Sequence, residues 1–241
     1  MNILRLDSGD AWIDAITNLW CQRLQQQPAL RLGLTVEASL LPVFDAMAAH
    51  CRQGLVSFRQ AEVFSLAEYG SGPVQAPVSW GSLIRKHLIE RIDLPVSQFH
   101  LMDLEEVGRN TADRDFEAAL KSGLDLVLAA IGTDGHLCLN EPECGESSTI
   151  RRVILNQPML RAAAKLFGVG PYPAWGVTVG LRQLKDAGEL WLLAQGREKA
   201  DVVRRVVQGE ISTTVPASLM RKHPRSYIFV DHLAGLYLCD L

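Results

Sequence analysis

Two rhythms of apolar residues alternate along this chain. Trp12, Ile13, Ile16, Leu19, Trp20 and Leu24 recur at helical spacing, which predicts a helix over 10–26 with Asp7-Ser8 as its cap and Pro28 as its stop. A short run at 30–34 reads as a strand. Helical spacing returns at Ala38 and continues through Val43, Met47 and Ala48 to a stop at Gly54. Residues 61–66 predict the next strand, the Gly/Pro-rich segment 70–77 a loop, and 79–92 a helix carrying Leu83, Ile84, Leu88 and Ile92. A strand over 98–102 follows. The polar stretch from 103 becomes a helix ending near 121–123, with Glu105, Glu106, Arg109, Asp113, Arg114 and Asp115 as its solvated face.

In the second half, a strand is predicted at 152–155. Asn156 caps a helix through Met159, Leu160, Ala163, Ala164 and Phe167, closed by Gly168. Strands at 189–195 and 226–231 flank an amphipathic helix from Gly196 through Val202, Val203, Val206 and Val207, and a short helix before them ends at Gly188. Strands alternating with helices predict an α/β fold with a parallel, helix-covered sheet. Neither a repeat nor a linker divides residues 1–241, which read as one domain.

Composition narrows the class. Hydrophobic residues make up 48% and charged residues 21%, an ordinary globular balance, and a net charge of −3 gives no reason to expect nucleic acid. No apolar run approaches the ~20 residues needed to cross a bilayer, so no membrane partner is expected. The N-terminus lacks a signal-peptide pattern. Cys21, Cys51, Cys138, Cys144 and Cys239 show no CxxC spacing, which argues against a disulfide framework and a structural zinc site. A cytoplasmic location is the expectation.

Chemistry concentrates in one place. The apolar run 124–131 suits a strand buried on both faces, and it breaks at Gly132 to deliver Asp134, His136 and Glu141. In open parallel sheets, ligands collect beyond the carboxyl ends of the strands. A histidine flanked by carboxylates there is a candidate proton-transfer group, one acid orienting the imidazole while the other faces substrate. Asp-Gly is also an ordinary turn, and a histidine after a turn is often structural. The residue types alone leave both readings open.

The wording Ile131-Gly-Thr-Asp-Gly-His-Leu-Cys-Leu-Asn-Glu-Pro142 resembles the signature of the glucosamine-6-phosphate deaminase/isomerase family, roughly Gly-x-Asp-Gly-His-x-x-x-Asn-Glu-Pro. The related 6-phosphogluconolactonases share Asp-Gly-His but usually lack Asn-Glu-Pro. Further similarity runs from about 30 to 231, densest at 131–142, 176–180 and 196–200. The resemblance implies a three-layer αβα fold with a mostly parallel, Rossmann-like sheet of the sugar-phosphate isomerase/deaminase type. It implies aldose–ketose isomerisation with deamination of a hexosamine 6-phosphate, glucosamine or galactosamine, needing neither metal nor redox cofactor. It admits a homo-oligomer.

By the same resemblance, His136 assists ring opening, with Asp134 and Glu141 setting its tautomer. Lys199, of a Gly-x-x-Lys-Ala segment, and Lys165 hold the phosphate, with hydroxyls of Thr35 and Ser39 as further donors. His223 belongs to a C-terminal Pro-x-Ser segment and reads as a packing residue. Two departures stand out. The family's phosphate turn, Thr-Gly-x-Thr-Pro, is here Thr35-Val-Glu-Ala-Ser-Leu40, without glycine and with Glu37. The family's acid that moves a proton between C1 and C2 aligns with Ala67, leaving Glu68, or Asp134 through water, for that step. The rival readings are a sugar-lactone hydrolase, which does not need that acid, and a non-catalytic sugar-phosphate-binding regulator.

Overall fold

The run expected to be buried on both faces is the middle of the sheet. Strands β1 (Asn2–Leu6), β2 (Arg31–Leu34), β3 (Glu62–Ser65), β5 (Phe99–His100), β6 (Leu126–Ala130), β9 (Glu189–Ala194) and β10 (Ser226–Asp231) make one sheet in the order β1-β10-β9-β6-β2-β3-β5. Every neighbouring pair is parallel. All residues of β6 and β9 are buried, as strands with neighbours on both edges and helices on both faces require. The computed structural model describes residues 1–70, 79–102, 104, 114–168 and 172–239.

The sheet is the centre of a three-layer αβα arrangement. Among the described residues its helices are α1 (Gly9–Gln26), α2 (Leu41–Arg52), α3 (Trp80–His87), α4 (Arg114–Leu120), α5 (Gln157–Phe167), α6 (Leu181–Lys185), α7 (Ala200–Gln208) and α8 (Pro216–Leu219). Ser8 caps α1 by accepting from the backbone N–H of Ala11, and Trp12 Nε1 donates to the Phe229 carbonyl at 3.0 Å, pinning α1 to β10. Asn156 caps α5 in the same way through the N–H of Met159.

Three elements differ from the sequence pattern. β1 was not expected. It is a short edge strand whose existence depends on pairing with β10, more than two hundred residues away, and local periodicity carries no such information. The strand predicted over 61–66 is present as β3, but β4 (Ala67–Tyr69) was not expected, and it leaves for a second, antiparallel sheet with β8 (Trp175–Thr178) and β7 (Arg151–Ile154). The helix expected over 79–92 closes at His87 and gives way to a 3-10 turn, Ile89–Arg91. Most of the expected loop at 70–77 and of the charge run at 105–115 lies outside the described residues. No helix among the described residues is long and apolar enough to cross a membrane.

Leu128 is fully buried at the sheet centre, in register with Leu34 on one side and Trp191 on the other. Leu128→Ala is expected to destabilise the fold by about 2–5 kcal/mol, read from the urea denaturation midpoint, because the surrounding strands cannot collapse onto the cavity left.

Candidate active site

From the centre of the sheet the chain order runs outward both ways, β2-β3-β5 on one side and β6-β9-β10-β1 on the other. Connections leaving the carboxyl ends of β2 and β6 therefore diverge, and a crevice opens between them. It is a cavity of about 240 Å³ whose wall includes Thr35 and Glu37 after β2, and Ala130, Gly132, Thr133 and His136 at and after the end of β6. That volume lies below the roughly 300–1,000 Å³ of sites for drug-sized ligands, which suits one small molecule and not a dinucleotide.

His136 is held by the loop itself. The Gly132 N–H donates to the His136 carbonyl, and Ile131 bridges to Leu137, which closes a tight turn. Inside it, Asp134 Oδ1 accepts the backbone N–H of His136 at 3.1 Å and lies 2.6 Å from Nδ1. A carboxylate only accepts, so Nδ1 carries the hydrogen and Nε2 is the nitrogen left for the cavity. Burial pushes the Asp134 carboxyl up, but the hydrogen bonds and charge of His136 outweigh it and hold the group at about 2. Two glycines permit this geometry. A Cβ on Gly132 would fall 2.1 Å from the imidazole, and Gly135 adopts φ +94 where a Cβ would meet Val215 at 2.7 Å.

The Asn-Glu-Pro part of the motif divides its labour. Asn140 is fully buried and donates to the carbonyls of Leu137 and Val179 while accepting from Arg151, so it ties the loop to the end of β8. Glu141 is half-buried and makes neither a hydrogen bond nor an ion pair with His136. The contact expected between this second acid and the imidazole is therefore not made, and Asp134 is the carboxylate that holds the ring.

Glu68 is also displaced from its expected role. Side chains alternate along a strand, so Ala67 and Tyr69 share one face of β4 and Glu68 takes the other. Tyr69 lines the cavity. Glu68 instead receives Tyr69 N–H and Trp80 N–H at 2.8 Å each on Oε1, and Ser79 Oγ–H at 2.7 Å and Gly81 N–H at 2.9 Å on Oε2. It occupies the N-terminus of α3, where free amides favour an anion. Burial pushes its carboxyl up from the ordinary carboxylate value against the pull of these donors.

The expected phosphate ligands are arranged unequally. The Thr35 hydroxyl accepts from Ala130 N–H at 2.9 Å and reaches the Leu128 carbonyl at 3.3 Å, so it continues the pairing of β2 with β6. Ser39 sits in the 3-10 turn Ala38–Leu40 and is not part of the cavity wall. Lys199 and Lys165 both line the cavity. Lys199 is buried at the start of α7, with Nζ 2.5 Å from the Ile131 carbonyl and 2.6 Å from Glu37 Oε1. Lys165 pairs with Glu198 at 2.8 Å where both side chains are about half exposed, a pair worth roughly 0–1 kcal/mol.

Residues passed over in the sequence complete the wall: Trp80, Cys138, Met159, Arg161 and Glu198. Arg161 was legible in principle, because Pro158, Arg161, Ala162 and Lys165 follow helical spacing and all face the cavity from α5. Cys138 was not legible. Its backbone is left-handed, with φ 55, and burial pushes its thiol up to about 12, so it stands in the wall as a neutral group. His223, expected to pack, is buried with Nε2 2.8 Å from the Ala187 carbonyl. No cluster of three or more metal-ligating side chains occurs among the described residues.

Comparison with known proteins places this geometry. Residues 10–229 match the family described as glucosamine-6-phosphate isomerases/6-phosphogluconolactonase. A glucosamine-6-phosphate deaminase of Streptomyces coelicolor is 31% identical over 239 residues, covering 98% of this chain and 92% of the relative. One from Pseudarthrobacter chlorophenolicus is 34% identical over 225 residues, covering 92% and 85%. A monomeric glucosamine-6-phosphate deaminase of known structure superposes with a TM-score of 0.90 at 23% identity, covering 99% of this chain and 100% of the other. The 6-phosphogluconolactonase of Thermotoga maritima shares the fold with a TM-score of 0.75 at 16% identity, over 95% and 99%. With its motif, its sheet order and its matches spanning nearly the whole length, this chain belongs to the glucosamine-6-phosphate isomerase/6-phosphogluconolactonase family.

Proposed function

We propose that this protein isomerises and deaminates a hexosamine 6-phosphate, glucosamine 6-phosphate or galactosamine 6-phosphate, in amino-sugar catabolism. The observation that carries the reading is the Asp134–His136 pair, whose unengaged Nε2 belongs to a cavity wall that also bears Arg161, Lys165 and Lys199. The shared name of the relatives, glucosamine-6-phosphate deaminase, supports it.

The chemistry follows from the tautomer. Protonated at Nε2, the imidazole donates to the sugar ring oxygen as the bond from that oxygen to C1 breaks and the C1 hydroxyl gives its proton to water to form the carbonyl; the Asp134 carboxylate balances the imidazolium that donates. Burial pushes the Tyr69 hydroxyl up to about 12, so it meets the open chain as a neutral donor. Proton movement between C1 and C2 passes to Asp134 through water, because both oxygens of Glu68 are committed to α3. The phosphate is received on the wall that α5 supplies, which bears Arg161 and Lys165.

One observation favours a second reading. Ala67, the first residue of β4, stands where the family has the acid that the C1–C2 step uses, and hydrolysis of a phosphorylated sugar lactone would use His136 without it.

In an ammonia-release assay with both hexosamine phosphates, the wild type is expected to turn over at least one, and His136→Ala to lower kcat roughly 10²–10⁴-fold. Lactone hydrolysis without ammonia selects the second reading, and binding with neither product overturns both. Gly132→Ala forces the imidazole aside and is expected to cost roughly 10²-fold in kcat with an unchanged circular dichroism spectrum.

Asp134 gives a pH-dependent prediction. Its folded value, about 2, lies below the ordinary 3.8, so its contribution to stability is present above about pH 4 and lost as pH falls through about 2. The difference in urea midpoint between wild type and Asp134→Asn is expected to stay constant from neutral pH down to about 4, then shrink. A difference that instead grows on acidification would contradict the assigned pair.

A further inference from the structure

Among the described residues, the charged side chains of the cavity wall besides His136 are Glu37, Arg161, Lys165, Glu198 and Lys199. Three cations against two carboxylates leave one positive charge. The pairing says which. Glu37 is matched to Lys199 at 2.6 Å with both side chains largely buried, and Glu198 to Lys165 at 2.8 Å at the exposed rim. Among the described residues Arg161 has no ion pair or hydrogen bond.

We propose that Arg161 receives the anionic group of the substrate, and that Glu37 sets the specificity of the site by holding Lys199 as a closed internal pair. The proposal rests on the reading of the substrate as a sugar phosphate. An incoming phosphate at Lys199 must displace a carboxylate already desolvated beside it and tethered to the same site at high effective concentration. Left in place, that carboxylate repels the phosphate at contact distance. Lys199 has only one N–H left to offer in return, since Nζ also donates to the Ile131 carbonyl at 2.5 Å. Arg161 carries no such competitor. Its guanidinium presents paired N–H groups that match two phosphate oxygens, and Lys165, one helical turn on, can leave its exposed partner to assist.

The test is calorimetric titration of the full chain with inorganic phosphate and with each hexosamine 6-phosphate, beside steady-state kinetics. Arg161→Ala lies on the exposed side of α5 and is expected to weaken phosphate binding about tenfold or more, raising KM with kcat nearly unchanged. The double variant Glu37→Gln/Lys199→Met, which removes both charges together, is expected to change phosphate affinity by less than about threefold, a small effect on the tenfold scale of one lost charged contact. Glu37→Gln alone releases Lys199 and is expected to tighten phosphate binding. Normal binding in Arg161→Ala with loss in the double variant overturns the proposal and leaves the sugar-phosphate reading standing. Failure of Glu37→Gln to tighten binding also overturns it. Phosphate binding that follows the expected order without ammonia release supports the proposal and overturns the deaminase reading. An absence of phosphate binding in the wild type overturns both.

Discussion

The Lys199 ammonium sits where three neighbouring strand ends meet. β9 leads into the turn that carries it, β6 ends beside the Ile131 carbonyl to which it donates, and β2 runs on to Glu37, its partner carboxylate. None of these contacts is possible unless β2, β6 and β9 lie side by side in parallel with their carboxyl ends level. Parallel registers such as Leu34 with Leu128 and Leu128 with Trp191 supply that alignment. Thr35 extends it past the last strand residue, its hydroxyl taking the place of a ladder partner for Ala130 and Leu128. The cavity is thus a consequence of strand order, and its charges are a consequence of which residue follows each strand.

Carboxylates in this protein differ in what their oxygens are doing, and that difference separates framework from chemistry. Both oxygens of Glu68 are filled by N–H and O–H donors, so no lone pair is directed at a ligand. One oxygen of Glu37 is committed to a buried ammonium. Asp134 is committed to an imidazole, and that commitment hands reactivity on, because fixing the hydrogen on Nδ1 leaves Nε2 to exchange a proton with a ligand. An acid next to a cavity is therefore no guide to a base. The number of donors already aimed at it decides.

The same distinction explains how far the amino-acid order could be read. The apolar run 124–131, the glycine that ends it and the Asp-Gly-His that follows are local facts, and local hydrogen bonds realise them: Asp134 and His136 are two residues apart. Helices α1 and α5 announce themselves by spacing and caps, and α7 by spacing alone, since each buries one stripe of its own surface. Glu68 lies beside the cavity in sequence, yet strand alternation and the amides of α3 direct it elsewhere, and Glu141 makes no bond to the imidazole.

Sequence by itself determined the alternation of strands and helices, the family and the histidine–aspartate pair, because each depends on residues within a turn or two of one another. Only the tertiary structure decided that β1 closes the sheet, that β4 leaves it, that Glu68 caps α3 and that Glu37 neutralises Lys199. Those contacts join residues far apart in the chain, from the dozen residues between Glu68 and Trp80 to the far ends of the molecule joined by β1 and β10. Their partners are chosen by which strand ends and helix starts the packed sheet brings within a few ångströms, and no local pattern encodes that choice.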